Sequence, residues 1–192
     1  MQILRAADRV PTPWLNGGGV TREVAAGPPG AGLSGFDWRV SLADVAASGP
    51  FSAFAGIDRI ITVVAGAGMT LTVDGVPTTV TDGYGPFAFP GDAATDCVLV
   101  DGPIVDFNVM TRRGRTTARV ELVTGTVALD GPTVLVVVLS GRAEVSTAVT
   151  EPSTAALGPY DAALLADRPA ALAVDGLAAV VHLDPARPGP LR

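Results

Sequence analysis

At 192 residues the chain can form one large domain or two small ones, and 48% apolar residues supply material for a core. A net charge of −6 excludes a broad phosphate-binding surface, so no nucleic acid is expected as a partner. The basic residues are all arginine, which excludes Schiff-base chemistry and a lysine-type phosphate loop, and the single cysteine, Cys97, excludes an internal disulfide.

The N-terminal residues lack the apolar core of a signal peptide, and no apolar run approaches the roughly 20 residues of a spanning helix. A cytoplasmic protein without a membrane partner is expected. Gln2 to Arg5 reads as an opening strand and Val10 to Pro13 as a proline turn. Trp14, Leu15, Asn16 and three glycines follow, leading into an extended run from Val20. The glycines allow positive φ or close backbone approach; they lack the spacing and the following helix of a phosphate loop. A Gly/Pro-rich loop spans 26–35. Phe36 to Leu42 then alternates, with Phe36, Trp38, Val40 and Leu42 on one face and Asp37, Arg39 and Ser41 on the other. Either face could line the inside of a small barrel.

A loop over 48–59 carries Phe51 and Phe54 and ends at Arg59. From Ile60 an apolar run, a glycine turn at Gly66 and an alternating run predict a β-hairpin; Val134 to Ser146, with Gly141, repeats the pattern. Further turns are predicted at 73–76 and 81–86. Downstream segments match at a spacing of about 74 to 75 positions, which pairs Asn108 with His182. Cys97, in an alternating apolar run, reads as a buried structural thiol. Arg112, Arg113 and Arg115 read as a solvated linker. The expected organisation is a module over 1–113 carrying the site, a smaller degenerate module over 114–184, and a flexible tail over 185–192.

The strings PWLNGGGVTRE at 13–23, FDWRVSLADVAASGPFSAFAGIDR at 36–59, PFAFPGD at 86–92 and DFNVMTRRG at 106–114 together resemble the HutD/Ves family. The resemblance implies an all-β fold of tandem cupin barrels, a bicupin with little helix. It also implies a role in histidine utilisation through binding of a small pathway metabolite, without an established catalytic activity. Where the family commonly has a lysine after the tryptophan, this chain has Leu15.

Most enzymatic cupins hold a metal through two or three histidines and a carboxylate. This chain has one histidine, His182, so neither a metal site nor a Ser-His-Asp triad is expected, and no cofactor. Arginine is the more promising chemistry, because a guanidinium holds a carboxylate through two charge-assisted hydrogen bonds. For Arg39 and Arg59 two roles stay open: gripping a carboxylate ligand, or pairing with a structural acid such as Asp58, Asp37 or Glu23. The family resemblance favours the ligand. Trp14, Asn16, Arg39, Ser41, Phe54, Arg59, Asp106 and Asn108 form the expected ligand-binding set. The expected function is non-enzymatic binding of a small carboxylate metabolite, formylglutamate-like, that modulates catabolism. The alternative is a metal-independent isomerase or hydrolase, marked by a perturbed acid or base among Glu23, Asp92 and Asp106. Sheet edges and an apolar second module are compatible with a homodimer.

Overall fold

A computed structural model describes residues 1–81, 85–147 and 153–186. Residues 82–84 of the turn predicted at 81–86, and 187–192 of the predicted tail, lie outside these. In chain order the strands are β1 (Gln2–Leu4), β2 (Pro11–Pro13), β3 (Gly19–Gly27), β4 (Trp38–Val45), β5 (Gly49–Pro50), β6 (Ile57–Ala65), β7 (Met69–Val73), β8 (Val76–Val80), β9 (Phe87–Pro90), β10 (Thr95–Leu99) and β11 (Ile104–Arg112). They continue with β12 (Thr116–Leu129), β13 (Thr133–Thr147), β14 (Ser153–Leu157), β15 (Ala162–Ala166) and β16 (Ala170–Pro185). Among the described residues helix is confined to one turn at Gly32–Gly35 and a 3₁₀ turn at Ala6–Asp8. The all-β expectation is met.

The chain divides into two compact units, residues 10–115 and residues 1–9 with 116–192. In the first, a six-stranded sheet ordered β2-β3-β4-β11-β6-β9 stands with a four-stranded sheet ordered β5-β10-β7-β8. Ala43, Val45, Ile61, Val63, Phe89 and Ile104 from one sheet pack with Met69, Leu71, Val80 and Cys97 from the other. Cys97 is buried, its Sγ 3.5 Å from the Met69 sulfur, and burial pushes the thiol up to about 11. In the second unit the order is β1-β15-β13-β16-β12, with β14 on β13. The opening strand β1 therefore pairs with β15, Ile3 opposite Ala163. The core there is aliphatic, from Val134, Val136 and Val138 to Leu172, Ala178 and Val180.

The two glycine-punctuated runs are not hairpins. β6 and β7 lie in different sheets of the first unit, and the corresponding stretch of the second is one strand, β13, which pairs with β16 from Thr133 to Ser146. A hairpin needs a glycine that reverses the chain; these glycines let it bend against a neighbouring strand. At Gly66 (φ 91°) a Cβ would stand 2.5 Å from the Pro103 carbonyl oxygen, and at Gly141 (φ 74°) it would overlap the Asp175 carbonyl. The true two-residue hairpin is Asp74-Gly75, both at positive φ, joining β7 to β8.

Both copies carry the same register shift. Opposite β11 it falls between Val63↔Asp106 and Ala65↔Val105; opposite β16 it falls between Val138↔Ala178 and Ser140↔Leu177. Residues 63 and 138 are thus 75 apart, whereas 106 and 178 are 72 apart. The sequence match over the last strand is corrected by two positions: His182, opposite Val134, answers Met110, opposite Arg59, and Asn108 answers Val180.

Candidate functional site

Residues directly opposite one another in an antiparallel sheet point to the same face. On that rule β11 sets out three rows. Arg39, Met110 and Arg59 share one, Ser41, Asn108 and Ile61 the next, and Ala43, Asp106 and Val63 the third. Because Ile61, Val63 and Ala43 pack into the core between the sheets, this is the inner face of the first unit. The polar face of the alternating run, Arg39 and Ser41, therefore lines the interior. The strand is buried on both faces, since Val40 and Leu42 on the opposite side are buried as well.

Arg59 is the centre of the group. It is 6% exposed, and its guanidinium carbon lies 5.0 Å from the ring centroid of Phe51, 5.9 Å from Phe54 and 5.1 Å from Phe89. Each such contact favours a cation by about 0.5–1 kcal/mol, more when desolvated. Its Nε is buried and has no hydrogen-bond partner. Burial lowers the guanidinium to about 10, against the pull of Asp106. Asp106 is 2% exposed and Asn108 8%, and each has an Oδ1 that is buried and without a partner. Burial drives the Asp106 carboxyl up to about 7; Arg59 opposes the rise and Asp44 adds to it. Ser41 is buried beside them at 2%.

The remaining expected residues sit around this group. Arg39 spends its Nε on Glu23, 2.7 Å away, so the structural-acid role is realised at this position. Phe54 covers Arg59 from the loop before β6. The Trp14 indole donates to Thr21 Oγ1 (2.8 Å) and its ring packs on the core. Asn16 is exposed and its Oδ1 accepts from the Gly18 N–H (3.0 Å), which stabilises the glycine turn rather than facing the interior group. Leu15 is fully exposed.

Sequence reasoning omitted Phe51 and Phe89 from the set, and missed what holds Arg59 in place. A Cβ at Gly91 would come within 3.2 Å of Arg59 Cγ, so glycine there makes room for the arginine stem. Next to it, Arg113 donates from Nε to Asp58 (2.6 Å) and from both terminal nitrogens to Asp92 (2.6 and 2.9 Å), and also reaches the Ile57 carbonyl. This clamp ties the start of β6, the end of β9 and the end of β11, and holds the Asp92 carboxyl well below its usual range. Arg112 donates to the carbonyls of Phe36 and Ser34. Arg112 and Arg113 are thus structural and not part of a solvated linker: both guanidinium groups have carbonyl or carboxylate acceptors at fixed distance. The spacing of Asp58, Asp92 and Arg113 gave no local signal, since the three meet only through strand pairing.

A divalent metal does not fit this interior. The inner wall presents a guanidinium, a hydroxyl, an amide and one carboxylate, and among the described residues no three His, Cys, Asp or Glu stand together. His182 lies in the other unit, its imidazole lowered by burial and by Arg119.

The Asp106 value has a consequence for stability. Its value near 7 in the folded protein exceeds the roughly 3.9 of an unfolded aspartate, so the native state binds the proton more tightly. The stabilisation is complete below about pH 4 and is lost as pH rises towards 7. Urea unfolding should show stability falling by a few kcal/mol over that window in the wild type and staying nearly level in Asp106→Asn. Asp92, shifted downward, acts with the opposite sign and below about pH 4. Parallel profiles for the two proteins would remove Asp106 from this role.

Two compact all-β units, one of them lined by a caged cation and buried polar groups, define the class. The HutD family model matches residues 6–181. An uncharacterized 21.2 kDa protein in the hutC 3′ region of Pseudomonas putida is 45% identical over 163 residues, 84% of each chain. A conserved protein of unknown function from Pseudomonas aeruginosa PAO1 superposes with a TM-score of 0.87 at 36% identity, covering 95% of this chain and 98% of that one. HutD from Pseudomonas fluorescens SBW25, solved in a formate condition, gives 0.82 at 38% identity, covering 96% and 98%. At the level of fold alone, a cupin 2 conserved barrel domain protein from Leptotrichia buccalis gives 0.59 at 12% identity, covering 86% and 89%. The chain belongs to the HutD family.

Proposed function

We propose that the first unit binds a small carboxylate metabolite without turning it over, and that this binding modulates histidine utilisation or a related catabolic pathway. The observation that carries the reading is Arg59: a buried guanidinium with an unpartnered Nε, caged by three phenyl rings on the inner face of a sheet. Leaving such a group unpaired costs free energy that a bound carboxylate would return through charge-assisted hydrogen bonds. The second unit supports a functional origin. There the positions of Arg59, Asn108 and Asp106 are taken by Val134, Val180 and Ala178, all buried, so the fold itself does not require polar groups at these sites. The family name, and the formate condition under which the P. fluorescens relative was solved, are consistent with this reading.

The test is a thermal-shift screen against formate, glutamate, formylglutamate, urocanate and histidine, with and without divalent metals. A metal-independent rise with one or more of the carboxylates is expected. No rise with any of them sinks the reading. A second reading rests on Asp106, whose value near 7 on the buried inner face suits a general acid or base. Turnover of any of these compounds by the purified protein, lost in Asp106→Asn, would establish it in place of simple binding.

A further inference from the structure

A strand at the edge of a sheet leaves a row of N–H and C=O groups unpaired, and proteins commonly blunt such edges by shortness, proline or lysine. Among the described residues the edge strands β1, β2, β5, β8, β9 and β14 have five residues or fewer, and β2, β5, β8 and β9 each contain proline. The edge strand β12 departs from this rule. It has 14 residues and no proline, and it pairs along one side only, with β16. Over residues 116–123 its register with β16 is unbroken, the shift falling between Val123 and Gly125. In this stretch Ala118, Val120 and Leu122 form a half-buried face, while Thr117, Arg119 and Glu121 are exposed on the other.

We propose that β12 pairs with the β12 of a second copy of this chain, antiparallel about a two-fold axis at Val120, joining their six-stranded sheets. A two-fold contact requires that residue i meet j and that j meet i. The order of residues 117–123 provides this. Arg119 stands opposite the partner's Glu121 and Glu121 opposite the partner's Arg119, while Val120 meets the partner's Val120, Ala118 the partner's Leu122 and Thr117 the partner's Val123. Apolar residues thus meet on one face and opposite charges on the other. Within one chain Arg119 and Glu121 pair with each other at 59% and 47% exposure, a surface contact of little worth, so both are free to turn to a partner. The register is selected as well. A slide of two residues, the smallest that keeps every side chain on its face, sets Arg119 against the partner's Arg119 or Glu121 against the partner's Glu121, and like charges directly opposite are destabilising. An unrelated extended peptide would have no reason to match this order; the strand matches itself.

Analytical ultracentrifugation of the full chain at low ionic strength should show a monomer–dimer equilibrium that shifts towards monomer as salt is raised, because the charges at the axis are exposed and screened. Arg119→Glu and Glu121→Arg each turn two opposite-charge pairs into like-charge pairs, and each should raise the dissociation constant at least about tenfold. An equimolar mixture of the two variants brings opposite charges together again at both positions and should dimerise as the wild type does. The doubly reversed chain, Arg119→Glu with Glu121→Arg, should do the same on its own. Both rescues separate a lost contact from a lost fold. A wild type that stays monomeric at its highest soluble concentration overturns the proposal. So does a dimer whose dissociation constant neither single change moves, since its contact then lies elsewhere on the chain. A loss that neither the mixture nor the double reversal restores overturns the pairing about Val120.

Discussion

Arg59→Met is expected to fold with a melting temperature within a few degrees of the wild type and to show no ligand-induced shift. The side chain sits among Phe51, Phe54 and Phe89. Methionine is about as long, is apolar, and fills the space that an alanine would leave as a cavity. Removing one member of a buried ion pair is usually costly because the partner is left charged. Here the partner is Asp106, already raised to about 7 and held down only by Arg59. Without the arginine it takes a proton, and no unpaired charge remains. For the wild type, ligand at a hundredfold excess over Kd stabilises by about 2.7 kcal/mol, or about 5–10 °C in a chain of this size. In Arg59→Met, and in Arg59→Ala at a lower starting temperature, that rise should vanish. A rise of unchanged size would remove Arg59 from the site.

The largest loss of stability is expected from Gly141→Ala. This glycine sits at φ 74° in β13, and an added Cβ would overlap the backbone carbonyl of Asp175 on the paired strand. Backbone on backbone cannot be relieved by a rotamer change, so the strands must part at the bend, at an expected loss of about 3 kcal/mol or more. Gly125 provides the control. It has nearly the same φ, 68°, with nothing within 4 Å of the added atom, so Gly125→Ala should lose only about 1 kcal/mol, the conformational term alone. Chemical denaturation of the two variants checks the difference; equal losses would mean that the close approach at Gly141 carries no stability.

The strands were legible because period-two alternation and turn residues are local signals: the Asp74-Gly75 turn and β4 could be read directly. The duplication was legible too, through its glycines. Their role was not, since a glycine that reverses a chain and one that bends it past a neighbour look alike until the pairing of Gly141 with Gly176 is known. For the site, an arginine at the end of a phenylalanine-rich loop was enough to single out Arg59, and Asp106 and Asn108 could be named only by side-chain chemistry, as a carboxylate and a neutral hydrogen-bonding group. Which face of β4 pointed inward could not be read, because both faces carry residues that a barrel can bury. The Arg113 clamp brings together residues 58, 92 and 113, and no window of sequence contains it.

Trp14, hydrogen-bonded to Thr21, and Trp38, whose indole a Cβ at Gly27 would strike, both belong to residues 10–115, and the rest of the chain has no tryptophan. The protein therefore carries its own optical labels on one half only. Emission excited at the indole band follows the unit of residues 10–115 alone, while far-ultraviolet dichroism follows the strands of both. A gap between the two melting curves would time the loss of one half against the other without any added dye.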